Sequence, residues 1–164
     1  MTTRRRPFDP LAEAKRQWDE HDLDEPLAMY AAISLIHAQQ TVTTVIDRAL
    51  KPLDLTFARY EVLMLLSFAS RGSLPITKVG ERLLVHPTGI TRLVDKLETQ
   101  GLVRREQHPD DRRSVLVAIT AQGRRVAAEA TTVLGEIRFG FSMPADELQE
   151  LVSVLEGMRT SVDP

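Results

Sequence analysis

Pro87, Thr88, Thr91 and Arg92 lie within six consecutive residues at spacings that share one side of a helix. The chemistry open to such a set is recognition rather than bond making. A threonine offers a donor, acceptors and a methyl group. An arginine offers parallel N–H donors that fit guanine O6 and N7, or a phosphate. Arg82 upstream and Lys96 downstream suit phosphate. Arg112 and Arg113 lie in the charged tight loop His108-Pro109-Asp110-Asp111-Arg112-Arg113. An arginine at the tip of such a loop suits a narrow minor groove, where negative potential is concentrated.

The flanking pattern supplies elements to carry these side chains. Val85-His86-Pro87 opens a helix over 87–100, with Pro87 at the first helical position. Ile90, Leu93, Val94 and Leu97 recur at i, i+3, i+4 and i+7, a single apolar stripe. Gly101 falls where the helix must stop, in the left-handed conformation that glycine takes without penalty. Val115, Val117 and Ile119 then alternate with Ser114, Leu116 and Ala118 as a half-buried strand. A short helix over 75–84, with Ile76, Val79 and Leu83 inward, precedes the Val85-His86-Pro87 turn. Two short helices joined by a three-residue turn, followed by an arginine-tipped hairpin, outline a winged helix-turn-helix. Ser73-Leu74-Pro75 is too short for more than one ladder contact. Arg104 and Arg105 are neighbours on a strand and point to opposite faces, so at most one of them reaches DNA.

The remaining periodicity predicts a mainly α fold with a small β-hairpin wing. Helices are expected over 26–51 (Met29, Ile33, Ile36, Val42, Val45, Ile46 and Leu50 buried), 55–70, 121–140 (Val126, Ala130, Val133 and Ile137 inward) and 145–159. The last carries Leu148, Leu151, Val152, Leu155 and Met158 as its stripe. Residues 1–25 read as an extension, partly disordered with a short helix near 11–18. Residues 55–120 read as the DNA-binding domain. Residues 26–54 and 121–164 read as a helical dimerisation region, because their stripes are longer than a winged-helix core covers. The same stripes also fit packing within one chain.

Composition narrows the function classes. The chain has 164 residues, 43% of them hydrophobic, and no cysteine. Disulfides and thiolate metal sites are thereby excluded. Four histidines, at 21, 37, 86 and 108, show no metal-ligand spacing, and no metal or cofactor is expected. There is no Gly-rich phosphate loop and no nucleophile elbow. Asp110 and Asp111 sit in an exposed turn, which suits a wing better than acid–base work, so an enzyme is not expected. No apolar run approaches the roughly 20 residues that span a bilayer. The Arg-rich start lacks a secretory apolar region, and a cytoplasmic protein is expected. Net charge is −2, but residues 71–125 carry eleven Lys and Arg against six Asp and Glu, a balance of +5. Residues 126–164 carry two against seven, a balance of −5. A basic middle beside an acidic end fits one lobe that faces phosphate and another that does not.

Taken together, Asp111-x-Arg113-x-x-x-Val117-x-Ile119-Thr120-x-x-Gly123, preceded by Thr91-Arg92-Leu93-Val94-Asp95-Lys96-Leu97-Glu98 and Gly101-Leu102-Val103, resembles the MarR family of bacterial transcription regulators. The resemblance covers about residues 28–158 and is most specific over 74–123. It implies a homodimer built from the terminal helices, with two winged helix-turn-helix lobes on double-stranded DNA. It also implies repression of nearby genes, relieved by a small molecule. A weaker resemblance points to the urate-responsive branch, which surrounds an anionic heteroaromatic ligand with a tryptophan, an aspartate and arginines. Trp18, Arg92 and Arg104 match that set, and Glu61 stands where the aspartate is expected. The competing function is a winged helix whose wing docks protein partners.

Overall fold

A computed structural model describes residues 8–107 and 114–161. The expected wing tip, with Asp111, Arg112 and Arg113, and residues 1–7, most of the roughly eight residues expected to be disordered, fall outside the described residues. The chain divides into two compact units, Met1–Val45 and Ile46–Pro164.

The first unit holds helix α1 (Pro10–Glu20) and most of α2 (Pro26–Leu50). Asp9 caps α1 by accepting the Leu11 and Ala12 N–H groups at 3.0 and 3.2 Å, and Pro10 occupies the first helical position, as helix starts favour. Leu11, Ala14 and Trp18 form its half-buried face. The indole N–H of Trp18 donates to the Asp24 carbonyl at 3.0 Å, tying α1 to the turn before α2.

The second unit begins with the end of α2 and continues with α3 (Phe57–Phe68), β1 (Ser73–Pro75), α4 (Ile76–Leu83), α5 (Pro87–Thr99), β2 (Val103–Gln107), β3 (Val115–Ile119), α6 (Ala121–Glu136) and α7 (Ala145–Ser161). The sheet is antiparallel in the order β1-β3-β2. Its core joins Leu50, Val62, Leu63 and Leu66 to Val79, Val94, Leu97, Val103, Val117 and Leu134, all essentially inaccessible to solvent.

Five expectations are corrected. Ser73-Leu74-Pro75 pairs with β3 at three positions, Ser73 with Ala118, Leu74 with Val117 and Pro75 with Leu116, so the wing hairpin belongs to a three-stranded sheet. β3 is the central strand of that sheet. Its last three residues are therefore buried on both faces, while Val115 at the wing end is exposed, so strict alternation fails. In α6 the inward face is Gly123, Ala127, Ala130 and Leu134; Val126, Val133 and Ile137 are half-buried beside it. The helix ends at Glu136, because Arg138 and Phe139 adopt positive φ. Finally, Ile36 and Val45 of α2 and Val152 and Met158 of α7 are exposed, and no described residue of α7 is buried. Periodicity marks an apolar stripe without saying what covers it.

Candidate nucleic-acid interface

Helices α4 and α5 meet through residues 84–86. The Val85 N–H donates back to the Gly80 carbonyl at 3.0 Å, closing the turn. Leu84 takes the left-handed conformation, φ 53° and ψ 36°, with its side chain 93% exposed. That conformation costs a non-glycine residue about 1–2 kcal/mol, and this leucine buries nothing in return. Leu84→Gly is expected to raise stability by about 0.5–1 kcal/mol, the strain relief exceeding the added unfolded-chain entropy. A thermal melt checks this, and a lower melting temperature would mean that the leucine packs on something in solution.

Helix α5 buries Ile90, Val94 and Leu97 and turns Pro87, Thr88, Thr91, Arg92, Asp95 and Lys96 to solvent. Its start is built from side chain and backbone together. His86 is the N-cap and its ring accepts from the Thr88 N–H. Its end is a Schellman motif: the Leu102 N–H reaches the Leu97 carbonyl at 2.9 Å and the Gly101 N–H the Glu98 carbonyl at 2.9 Å, with Gly101 at φ 71°. Gln100 then ties this end to the loop before α3. Its Nε2 donates to the Asp54 carbonyl and carboxylate, both at 2.8 Å, and its Oε1 accepts from Arg59 Nη1 at 2.9 Å. Arg59 is the one buried charged side chain among the described residues.

The electrostatics of α5 depend on β2. Arg105 Nη2 meets Asp95 Oδ1 at 2.6 Å, and its Nη1 donates to the Glu98 carboxylate. Partial burial disfavours the charge, but those two carboxylates outweigh it and hold the guanidinium pKa above its ordinary value. One arginine thus engages both acidic side chains of α5 and offsets one of their two negative charges. Arg82, Arg92 and Lys96 are exposed and have no ion-pair partner among the described residues. The expected DNA-binding residues of α4 and α5 are therefore all solvent-exposed, and together they carry net positive charge. Arg112 and Arg113 lie outside the described residues.

The four residues expected around a ligand are distributed as follows. Trp18 belongs to the first unit, with its N–H committed to Asp24. Glu61, Arg92 and Arg104 belong to the second. Glu61 is half-buried on α3 without an ion-pair partner among the described residues, and burial pushes its carboxyl pKa up. Arg104 is exposed and pairs with Glu106 at 2.5 Å. Sequence reasoning placed His86 in the opening turn without a cap role, left Arg105 only as an alternative to Arg104 at DNA, and gave Gln100 no role. Strand parity separated Arg105 from Arg104, but nothing local showed that Asp95 and Glu98 meet it.

A model of the MarR family matches residues 55–115, from just before α3 to the first residue of β3. The organic hydroperoxide resistance transcriptional regulator of Bacillus subtilis (strain 168) is 30% identical over 106 residues, covering 65% of this chain and 71% of that protein. The chain belongs to the MarR family. Among solved MarR-family structures, Sco5413 from Streptomyces coelicolor, a MarR family transcriptional regulator, is 41% identical, with a TM-score of 0.77 over 82% of this chain and 94% of that one. A mutant of Escherichia coli MarR complexed with operator DNA is 27% identical, with a TM-score of 0.71 over 82% and 98% of the two chains. The mainly α, winged helix-turn-helix architecture expected from the sequence is thus the family's architecture. Its relatives are transcriptional regulators rather than enzymes. None of the described helices is long and apolar enough to cross a membrane.

Proposed function

We propose that the chain is a sequence-specific DNA-binding repressor that acts in the cytoplasm. It binds a palindromic operator as a homodimer and leaves it when a small anionic or aromatic effector binds. The observation that carries this reading is the exposed face of α5: two threonines, with Arg92 and Lys96 unpaired among the described residues and both acidic neighbours held by Arg105. Thr88, Thr91 and Arg92, with Pro87, face base edges and backbone, while Arg82 and Lys96 face phosphate. Arg112 is the proposed minor-groove probe, with Asp111 and Arg113 shaping the wing. The E. coli relative solved on operator DNA supports the assignment. Exposed Leu27, Leu35 and Ile36 on α2 and Val152 and Val154 on α7 support a second copy as their cover. Glu61, Arg92 and Arg104 of the second unit are the proposed effector contacts; Trp18, expected with them, belongs to the first unit. Because Arg92 serves both DNA and effector, holding it in one complex weakens the other by linkage.

The test is a titration against the intergenic duplex beside this protein's own gene, at two salt concentrations. Binding is expected to be specific and to fall steeply with salt, as counterion release requires. Arg92→Ala is expected to cost about 1–3 kcal/mol on that duplex, and less on a scrambled one. Equal affinity for both duplexes, or salt-independent binding, would favour a wing that docks protein.

A further inference from the structure

The start of α5 is where the proposed interface meets DNA, and its backbone donors are already spent. Pro87 has no N–H. The Gly89 and Ile90 N–H groups donate to the His86 carbonyl at 2.8 and 3.1 Å. The Thr88 N–H is directed at His86 Nδ1, 3.4 Å away. The Thr91 hydroxyl donates to the Pro87 carbonyl at 3.1 Å. Helix starts usually bind anions through free N–H groups; this one has none left in its first turn, so a phosphate arriving there needs a side-chain donor.

The cap determines which donor that is. A backbone N–H can only donate, so the cap on the Thr88 N–H uses His86 Nδ1 as the unprotonated nitrogen of the ring. The proton of the neutral imidazole then sits on Nε2. Thr88 Oγ1 lies 3.0 Å from the same Nδ1; in that tautomer its hydroxyl can only donate there, sharing the one lone pair with the Thr88 N–H. His86 is exposed at the positive end of the α5 dipole. Glu81, which lines the same interhelical groove, is occupied by Lys78 at 2.7 Å.

We propose that His86 is a DNA-contacting residue, held as the Nε2–H tautomer by the recognition helix's own cap and donating to a backbone phosphate at the groove edge. The proposal rests on the DNA-binding reading above and adds a division of labour to it. With their hydroxyl protons turned inward, Thr88 and Thr91 present acceptor lone pairs and methyl groups outward. Those match the amino groups of adenine and cytosine and the methyl of thymine. They do not match the two acceptors of guanine.

His86→Asn tests this. Asparagine is a strong N-cap, so it keeps the acceptor for Thr88, while its own amide donor sits on a shorter side chain and falls short of the position of Nε2. Its melting temperature is expected to equal or exceed that of the parent. Affinity for the intergenic duplex is expected to fall about five- to tenfold. The salt slope should be unchanged, because a neutral donor releases no counterion. Ring ¹⁵N NMR of the free protein near pH 8, with His86→Asn identifying the resonance, should show Nε2–H. Unchanged affinity, a slope lowered by about one, or an Nδ1–H tautomer would each overturn the proposal. If the parent itself does not prefer this duplex to a scrambled one, the DNA-binding reading falls and takes the proposal with it.

Discussion

Replacing Gly123 by alanine is expected to destabilise the protein by about 3 kcal/mol, the upper range for overpacking a closed site, and to lower its melting temperature by about 10 °C. Gly123 is the third residue of α6, and its N–H donates to the Thr120 side chain at 2.9 Å. A Cβ on Gly123 would lie 2.9 Å from Ile119 Cγ1 and 3.0 Å from the Leu102 carbonyl carbon, and closer still to the carbonyl oxygen. That oxygen cannot retreat freely, because it accepts the Thr120 N–H at 3.0 Å. The Thr120 hydroxyl in turn donates to the Gly101 carbonyl at 2.8 Å. The clash would therefore be transmitted to the link between the end of α5 and the start of β2. Gly135→Ala is the matched control: it lies in the same helix with nothing within 4 Å of its Cβ position, and alanine there should add up to about 1 kcal/mol through helix propensity. Thermal melts of the two variants should move in opposite directions. If both rise, the close approach at Gly123 is not what holds these elements together.

That contrast also marks how far the residues disclose their own structure. Within one element they disclose much. The stripe Ile90, Leu93, Val94 and Leu97 oriented α5, and Pro87 and Gly101 bounded it, because caps and stripes are decided by neighbours a few residues apart. What lies across elements was not legible. Nothing in Ser73-Leu74-Pro75 announces that a central strand waits 43 residues on to pair with it at three positions, and the rotation of the α6 face follows from Gly123 resting on a carbonyl of the preceding segment. The same division holds at the site. Thr88, Thr91 and Arg92 are readable as donors, acceptors and charge from type and spacing. Whether their charge is free is not, since Asp95 and Glu98 meet Arg105 across a helix end and a turn, and Arg59 reaches Gln100 over 41 residues. The exposed stripes of α2 and α7 are the limiting case: their pattern was plain, and it does not say what covers them.

Arg105→Met is expected to weaken binding to the intergenic duplex about ten- to thirtyfold, roughly 1.4–2 kcal/mol, while changing stability by less than about 1 kcal/mol. The small stability effect follows from exposure: Arg105 keeps 28% of its side chain accessible, and its partners Asp95 and Glu98 keep 58% and 38%, so solvent screens the pairs in the free protein. Against DNA the balance differs. The variant frees two carboxylates on the helix proposed to enter the groove, and each would then oppose phosphate beside Arg92 and Lys96. The salt slope should fall by about one as well. Two mechanisms are separable. The guanidinium can act by neutralising the helix or by fixing the angle between α5 and β2. Glu98 Oε1 also accepts the Arg105 backbone N–H at 2.9 Å, and that tie survives loss of the side chain, so neutralisation should dominate. Adding Asp95→Asn to Arg105→Met is then expected to restore most of the lost affinity, a coupling that a double-mutant cycle measures directly. If the single variant binds normally, the carboxylates do not face DNA. If the double variant stays as weak as the single one, Arg105 sets the wing's position and its charge is secondary.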